Sequence, residues 1–296
     1  MQIAFIGAGK VGKALGLYLK NNGITILGYY SRSYQSAVNA ARLTDTSPYC
    51  SLTELIKAAD VIAITTPDDV IAEVADQISA AVSADSQLAL TIADKSFAHM
   101  SGVYSSELLE NLSDLGATTF SLHPLLAFTE PERSAKALEN AYFAIDGSGA
   151  HYQQIFDKLA GISDNLIEIA PEEKALYHAA LAVISNYQIT IADLGLRMLT
   201  EAGFTREQAL QFVEPLVRQT VDNLFVQDSG QALTGPIARG DAGTVAKHVQ
   251  ALAETNEEWL ESYCQLGKQT IDLALRAKRI NKEQATNLRE VLNNND

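Results

Sequence analysis

Short apolar runs alternate with amphipathic stretches over the first 170 residues of the chain. Compact apolar runs predict strands, whereas a 3.6-residue period predicts helices. Strands are predicted at residues 3–6, 25–30, 61–65, 117–122, 142–145 and 166–169, and helices at residues 11–21, 36–43, 52–59 and 70–81. Strands that alternate with helices predict a parallel sheet with helices on both faces.

The stretch at residues 83–100 has two candidate strands, "LALTI" and "KSFAHM". The second is favoured because Ser101 and Gly102 follow it as a break between a strand and a loop.

The pattern changes after Ala170. Pro171 suits the first turn of a helix, and the acidic Glu172 and Glu173 complement its dipole. Helices are predicted at residues 172–202, 206–225, 244–254, 257–279 and 282–292, and the last residues, "NNND", are expected to fray. The predicted fold is therefore α/β, with a doubly wound parallel sheet in residues 1–170 followed by a smaller all-α domain in residues 171–296.

A glycine-rich loop follows the first predicted strand. Gly7, Gly9 and Gly12 form G-x-G-x-x-G between a strand and a helix, with Ala8, Lys10 and Val11 between them. In this context the first glycine permits a tight turn, the second lets a pyrophosphate approach the backbone, and the third lets the helix pack on the sheet. We therefore expect Gly7 to Gly12 to bind a dinucleotide, the alternative being a glycine-rich turn without a ligand.

The residues after the second strand indicate which dinucleotide is preferred. An NAD site usually has a carboxylate about 20 residues after the glycines, where it bonds the ribose 2′-hydroxyl. This chain has Ser31, Arg32 and Ser33 there, and a guanidinium suits a 2′-phosphate. The sequence therefore favours NADP, although Arg32 in a solvated loop is the other interpretation.

The segment "ITTPDD" ends the strand predicted at residues 61–65. Because this edge of a doubly wound sheet faces the ligand crevice, Thr65, Thr66 and Pro67 are candidate neighbours of the nicotinamide ribose. Asp68 and Asp69 are expected to cap the next helix.

Reduction by a nicotinamide cofactor also requires a group that gives or takes a proton. His123 is the first candidate, since it ends a predicted strand and Pro124 stiffens the loop behind it. A purely structural histidine remains the alternative, and more strongly so for His99.

A second candidate cluster lies on the long helix, in "EEKALYHAALAVISNYQ". At 100° per residue, Lys174, His178 and Ser185 fall on one face, and Asn186 lies beside them. Polar groups among apolar neighbours need partners, and a substrate is one such partner. Satisfied core groups and a lysine extending to solvent are the alternative.

The loop "TGPIARGD" interrupts the later helices. Asp241 is expected to cap the next helix, and Arg239 is a candidate partner for a carboxylate or a phosphate. A purely structural turn is the other interpretation.

Composition limits the partners. The net charge of −14 argues against broad binding to nucleic acid or an anionic membrane, although it permits a small anionic ligand. Two cysteines form neither a disulfide framework nor a metal cluster, so no metal is expected. No signal peptide is recognised, and no apolar run reaches the roughly 18 residues that span a bilayer. The chain is therefore expected to be cytoplasmic.

Several of these segments resemble known families. The N-terminal part resembles the 6-phosphogluconate dehydrogenase-like superfamily, which includes β-hydroxyacid dehydrogenases, pyrroline-5-carboxylate reductase and ketopantoate reductase. More closely, "SLHPLLAF", "KALYHAALAVISNY" and "ALTGPIARGD" resemble the Rossmann-like/DUF2520 proteins over nearly the whole chain. The resemblance implies an NADP-binding domain, an all-helical domain and a homodimer formed through the helical domains. It implies no particular substrate.

The resemblance transfers catalytic residues only in part. Lys174 matches the catalytic lysine of β-hydroxyacid dehydrogenases, but His178 stands where those enzymes have an asparagine. His123-Pro124 is similar to the His-Pro of prephenate dehydrogenases, without the glycine that follows there. Which of His123, Lys174 and His178 transfers a proton therefore stays open.

Two functions follow as hypotheses. The first is an NADP(H)-dependent oxidoreductase that acts on a C=O or C=N group of a small, anionic metabolite, with Ser185 and Asn186 supporting the substrate. The second is a sensor or scaffold that binds NADP without turnover, because a Rossmann fold alone does not prove catalysis. A deazaflavin as hydride partner is a further variant that nothing in the sequence selects.

Overall fold

A computed structural model of the protein describes residues 1–293. It divides into two compact units, Met1–Ile184 and the residues from Ser185 onward. The boundary predicted after residue 170 falls inside the first unit, just before the helix in which the division occurs. Of the predicted frayed tail, Asn293 ends the last helix, and residues 294–296 lie outside the described residues.

The first unit is built on an eight-stranded sheet in the order β3-β2-β1-β4-β5-β6-β7-β8. Its strands are β1 Gln2–Ile6, β2 Thr25–Tyr30, β3 Ser47–Pro48, β4 Val61–Ile64, β5 Ser96–His99, β6 Thr118–Pro124, β7 Phe143–Ser148 and β8 Leu166–Glu168. Of the two candidate strands in the ambiguous stretch, "KSFAHM" supplies β5, as predicted.

The expectation of a wholly parallel sheet is wrong at one strand pair. β7 runs antiparallel to β6, and Pro124 at the end of β6 pairs with Phe143 at the start of β7. The connection between them leaves and returns at the same edge of the sheet, where the Leu125 N–H donates to the Tyr142 carbonyl at 2.8 Å. A connection that returns at the same edge can only produce an antiparallel pair.

Helices cover both faces of this sheet. They are α1 Lys10–Asn21, α2 Tyr34–Thr44, α3 Leu52–Ala58, α4 Ile71–Ala84, α5 Ser86–Thr91, α6 Glu110–Ser113, α7 Pro131–Ala137, α8 Tyr152–Ala160 and α9 Lys174–Leu181. Successive residues of β1 show the two-sided burial: Phe5 belongs to one apolar core and Ile6 to the other. The predicted fold class is therefore confirmed.

The strand order places the carboxyl ends of five parallel strands, β2, β1, β4, β5 and β6, side by side. From β1 the chain adds β2 and β3 on one side of the sheet. It then crosses to the other side of β1, where it adds β4, β5 and β6, so the order in which strands are added reverses at β1. Ligands of such sheets bind outside the carboxyl ends of the strands at this point of reversal. Every segment that follows β1, β2, β4, β5 or β6 therefore reaches the same edge.

The second unit is helical throughout its described part. Its helices are α10 Tyr187–Glu201, α11 Arg206–Val226, α12 Ser229–Ala232, α13 Ala242–Ala253, α14 Glu257–Arg276 and α15 Lys282–Asn293. Its core is formed mainly by apolar residues of α13, α14 and α15, such as Val245, Ile271 and Leu288. Asp241 caps α13 as predicted, since its Oδ1 accepts from the Thr244 N–H at 3.0 Å.

One helical stretch, Pro171–Glu201, is long and apolar enough to cross a membrane by length and composition. The sequence contains no uninterrupted apolar run of this length, as stated above, but the mean hydropathy of a window tolerates isolated polar residues. A helix that packs against another protein subunit has the same composition, so the finding alone does not place it in a membrane.

Candidate functional site at the carboxyl edge of the sheet

The turn after β1 is shaped by two of the three glycines. Gly7 has a positive φ of 108°, and its N–H donates to the Tyr30 carbonyl at 2.8 Å. A Cβ on Gly12 would lie 2.5 Å from Thr65 Oγ1, so only glycine lets α1 pack this closely on the end of β4. These two glycines are required by the backbone itself.

Gly9 has a different surrounding. It is the N-cap of α1, and a Cβ added to it would meet no atom within 4 Å. No side chain caps the helix, and its first turn, Lys10, Val11 and Gly12, contains no acidic residue. The first N–H groups of a helix have no acceptor within the helix, so the N-terminal end of α1 offers hydrogen-bond donors and open space to an anion.

The residues after β2 include an exposed cation. Arg32 is exposed, and among residues 1–293 it has no hydrogen bond or ion pair. Ser33 is already used locally, because its hydroxyl caps α2 by accepting from the Ser36 N–H. Of the three predicted residues, Arg32 therefore retains its full capacity for a ligand, and Ser31 lies half-buried beside it.

The segment after β4 contributes one hydroxyl to the fold and leaves another unpaired. Thr65 Oγ1 donates to the Gly7 carbonyl at 2.9 Å and so connects β4 to the glycine loop. Thr66 Oγ1 is buried and has no hydrogen-bond partner within the described residues. Buried hydroxyls are normally paired, so Thr66 offers a hydrogen bond to a ligand. The neighbouring Pro67 is exposed.

Asp68 and Asp69 do not cap the following helix as expected. They begin a short 3-10 turn, Asp68–Val70, and α4 starts after it without a side-chain cap. Instead, Asp68 Oδ2 accepts from Ser101 Oγ at 2.7 Å, which connects the segment after β4 to the segment after β5. The carboxylate is therefore used across strands rather than along its own helix.

His99 is a structural residue at the end of β5. Its Nδ1 accepts from the Ser101 N–H at 3.2 Å, which leaves Nε2–H to donate to the Ser105 carbonyl at 2.9 Å. The ring is fully buried, and burial lowers the pKa of His99. Both ring nitrogens are occupied, so His99 is not free to exchange a proton with a ligand.

His123 lies at the end of β6 in contact with α9. Its Nδ1 is 3.0 Å from the Tyr177 hydroxyl, and its ring lies 5.9 Å from that of His178, centroid to centroid. Gly102 approaches the same rings, since a Cβ there would lie 2.8 Å from His123 Nε2 and 2.6 Å from His178 Cδ2. Residues after β5, at the end of β6 and on α9 therefore meet at one point of the edge.

Lys174 lies deeper, on the same helix. Its Nζ donates to Asp146 Oδ2 at 2.9 Å and to Ser121 Oγ, and Ser121 in turn donates to Asp146. The Lys174 side chain is only 1% exposed. Burial raises the pKa of Asp146, but the bonds from Ser121, the Ser106 N–H and Lys174 outweigh it and hold that pKa below its usual value. The aspartate therefore stays ionised and neutralises the ammonium.

Ser185 and Asn186 are exposed in the second unit, whereas His123, Lys174 and His178 belong to the first. Ser185 and Asn186 lie in a π-helical turn, Ala182–Asn186. A π turn closes its hydrogen bond one residue later than an α turn, so residues after it shift around the helix axis. The predicted common face of Lys174, His178 and Ser185 assumed a regular α-helix.

Sequence reasoning missed three residues of this cluster: Ser121, Asp146 and Tyr177. A signal existed for two of them, because Tyr177 is three residues after Lys174 and Ser121 is two residues before His123. Residues at these spacings share a helix face and a strand face. Asp146 had no such signal, because only the antiparallel pairing places it opposite Ser121.

The His123 imidazole should make stability depend on pH. Burial lowers the pKa of His123 to about 4, aided by the charges of His178 and Lys174 and opposed by Asp68. Between pH 4 and the unfolded value of about 6.5, the unfolded chain binds more protons, so stability falls as the pH falls through this window. The decrease should reach about 3 kcal/mol. Urea denaturation from pH 7 to pH 4 measures it.

The matched variant for this measurement is His123→Gln, which removes this titrating group and should make the curve shallower in that window, leaving the contribution of His99, whose pKa burial also lowers. A wild-type curve that is already as flat as that of the variant would contradict the shift.

The strand order, the point of reversal at β1 and the glycine loop define a Rossmann-fold protein that carries a second, helical part. Two domain families match the sequence: "Rossmann-like domain" over residues 1–124 and "Domain of unknown function (DUF2520)" over residues 141–270. The chain therefore contains a Rossmann-like domain followed by a DUF2520 domain, as the resemblance predicted. A comparison with curated proteins gives no match.

Solved structures share this architecture along the whole chain. A protein from Thermotoga maritima is 25% identical, with 92% of this chain and 99% of that chain covered and a TM-score of 0.71. Pyrroline carboxylate reductase from Plasmodium falciparum, with NADP bound, is 15% identical, with 97% and 98% covered and a TM-score of 0.58. The reductive aminase from Aspergillus terreus, in complex with NADPH and ethyl-5-oxohexanoate, is 15% identical, with 99% and 92% covered and a TM-score of 0.58.

Proposed function

We propose that this protein is an NADP(H)-dependent oxidoreductase that acts on a C=O or C=N group of a small metabolite. The observation that carries the proposal is the N-terminal end of α1, where Gly9 leaves open space beside backbone N–H groups that no side chain caps. Relatives in fold that hold NADP or NADPH support the choice of cofactor. The anionic character expected of the substrate remains part of the proposal.

The residues present fit such a cofactor. The backbone from Gly7 to Gly12 would hold the pyrophosphate, and Arg32 would pair with the 2′-phosphate. The unpaired hydroxyl of Thr66 would bond the nicotinamide half, beside Thr65 and Pro67. When bound, the reduced nicotinamide supplies a hydride, and the protein holds the substrate and manages its proton.

His123 is the residue we place against the substrate. Its imidazole is neutral at physiological pH because its pKa is about 4, so it acts as a hydrogen-bond donor or acceptor rather than as a cation. Lys174 is enclosed by Ser121 and Asp146, and we assign it no contact with the substrate. His178, whose ring centroid lies 5.9 Å from that of His123, would orient the substrate.

Arg32→Ala tests the cofactor assignment. Binding of NADPH should become roughly 10- to 100-fold weaker, because a hydrogen bond to a charged group contributes about 1.5–3 kcal/mol. Binding of NADH should hardly change, since NADH lacks the 2′-phosphate. Calorimetric titration of the wild type and the variant with both nucleotides makes the measurement. An equal loss for NADPH and NADH would contradict the role of Arg32, and no binding of either by the wild type would remove the proposed function.

The second candidate is an NADP-binding sensor or scaffold without turnover. The burial of Lys174 against Ser121 and Asp146 favours it, because the lysine that matches a catalytic residue of related families is already bonded within the fold. A panel of ketoacids, ketones and cyclic imines separates the two functions. A sensor binds NADPH and never oxidises it.

We also propose that the protein is a cytoplasmic homodimer that associates through α10 and α11. Within these helices only Leu196 and Ala209 are buried, whereas large apolar side chains such as Ile189, at 74% exposed, and Leu216, at 65%, face outward. Apolar surface of this extent marks an interface in soluble proteins.

Replacing Ile189 or Leu216 by Asp should dissociate the dimer, because a charge at the interface would be buried without a partner. Sedimentation velocity should show a species of twice the 31.9 kDa chain mass for the wild type and a monomer for the variants. Leu90→Asp is the control, since Leu90 is 85% exposed on α5 in the first unit. A monomeric wild type would contradict this assignment.

A further inference from the structure

Two pairs of residues connect β6 to α9 in the same order. On β6, Ser121 and His123 are two residues apart and therefore lie on one face of the strand. On α9, Lys174 and Tyr177 are three residues apart and lie on one face of the helix. Ser121 is hydrogen-bonded to Lys174, and His123 is hydrogen-bonded to Tyr177. The strand β6 and the helix α9 are therefore connected at two successive points.

The first pair is buried and hydrogen-bonded to Asp146. Asp146 accepts from Lys174 and Ser121 through Oδ2 and from the Ser106 N–H, at 2.7 Å, through Oδ1. Ser121 is fully buried and Asp146 is 4% exposed. A buried charged pair cannot shift by one residue without leaving an ion unpaired, which is strongly destabilising. This contact therefore fixes how α9 lies along β6.

The second pair lies nearer to the surface. Burial raises the pKa of Tyr177 to about 12, so its hydroxyl keeps its proton, and the neutral His123 ring offers a lone pair. A protonated phenol can donate or accept, but the Tyr177 hydroxyl has no other hydrogen-bond partner among the described residues, so its proton is used only if it is donated to Nδ1, across 3.0 Å. An imidazole that accepts at Nδ1 carries its own proton on Nε2.

We propose that Lys174 and Tyr177 are positioning residues for His123. Lys174 sets the register of α9 on β6 through Ser121 and Asp146, and Tyr177 then holds the imidazole in the tautomer that carries the proton on Nε2. The proposal rests on the proposed function in one respect: Nε2–H becomes the donor that polarises the C=O or C=N of the substrate.

Gly102 supports this orientation. A side chain at this position would lie 2.8 Å from Nε2, so glycine keeps that edge of the imidazole unobstructed. The ring contacts Tyr177 and His178 of α9, and it lies within the electrostatic influence of two further charged groups, Lys174 of α9 and Asp68 of the segment after β4. A neutral ring donates a hydrogen bond without delivering a full charge, as suits a reaction in which negative charge develops only in the transition state.

The test is the tautomer of His123, which can be measured without a substrate. Protein labelled with [15N]histidine gives long-range proton–nitrogen spectra that distinguish the two neutral tautomers. The chain has five histidines, and His123→Gln assigns the signal. At pH 7.5 the wild type should show His123 as a single Nε2–H tautomer, whereas a wild-type Nδ1–H tautomer would overturn the proposal.

Tyr177→Phe removes the donor and should convert His123 to a mixture of both tautomers. Tyr187→Phe is the matched control, because Tyr187 lies further along the same helical stretch and is 56% exposed. An unchanged His123 signal in Tyr177→Phe would overturn the role of Tyr177.

The double variant Lys174→Met/Asp146→Asn removes both buried charges together and keeps an acceptor for the Ser106 N–H. It should give the same mixture of tautomers as Tyr177→Phe, because the register of α9 is no longer fixed. A single tautomer in this variant would overturn the role of Lys174. The nucleotide titration of the wild type decides the proposed function separately, so failure of one proposal is not mistaken for failure of the other.

Discussion

Lys174→Ala should lower the free energy of unfolding of the first unit by about 3–5 kcal/mol, because it leaves Asp146 ionised and buried without its partner. The ion pair at 2.9 Å is enclosed, with the Lys174 and Asp146 side chains 1% and 3% exposed. Urea denaturation followed by circular dichroism measures the loss. The fluorescence of Trp259, the single tryptophan, reports the second unit separately.

The double variant Lys174→Met/Asp146→Asn should recover most of that stability. Removing both charges of a buried pair leaves no uncompensated ion, whereas removing one does. If the single and the double variants lose equal stability, shape at this position matters more than charge. If Lys174→Ala unfolds at the same urea concentration as the wild type, the lysine is not part of the core.

Gly9→Ala should weaken NADPH binding by about 10- to 100-fold and leave the melting temperature unchanged. A Cβ at this position meets no protein atom within 4 Å, and its φ of −78° suits any residue. The added carbon would instead occupy the space proposed for the pyrophosphate, and an extra carbon in a tight contact costs about 1–3 kcal/mol. Calorimetry and thermal unfolding on the same sample measure both quantities.

Gly12→Ala is the matched comparison. Its Cβ would lie 2.5 Å from Thr65 Oγ1 and 2.7 Å from the Gly7 carbonyl oxygen, so the variant should unfold at a lower temperature even without nucleotide. If Gly9→Ala instead destabilised the protein and bound NADPH normally, the open space beside α1 would have no role in binding.

Much of the fold could be predicted from the alternation of apolar runs and helical stretches, because the period of apolar positions follows from burial on one face or both. β2 was predicted with its observed bounds, Thr25–Tyr30, and α11 within one residue of Arg206–Val226. β3 was missed, since Ser47–Pro48 is too short to show any period. The direction of β7 was also missed, because strand direction depends on where the connection returns and not on the strand's own residues.

The candidate site was predicted less completely, for a related reason. Residues that follow parallel strands share an edge, so Gly9, Arg32, Thr66 and His123 could be found from strand ends alone. Asp146 and Tyr177 take part through pairings across β6 and α9, which require the register of both elements. The π turn at Ala182–Asn186 could not be predicted either, because the apolar period of the stretch continues through it.

The two outer strands of the sheet have a consequence for how copies of this protein avoid aggregation. One border is β3, two residues that include Pro48, and the other is β8, three residues. Exposed strand borders recruit further strands, and short borders or a proline, which has no N–H to donate, prevent this. The longer strands are therefore in the interior of the sheet, where both neighbours already use their backbone hydrogen bonds. The two short outer strands offer little template for the addition of a strand from another copy.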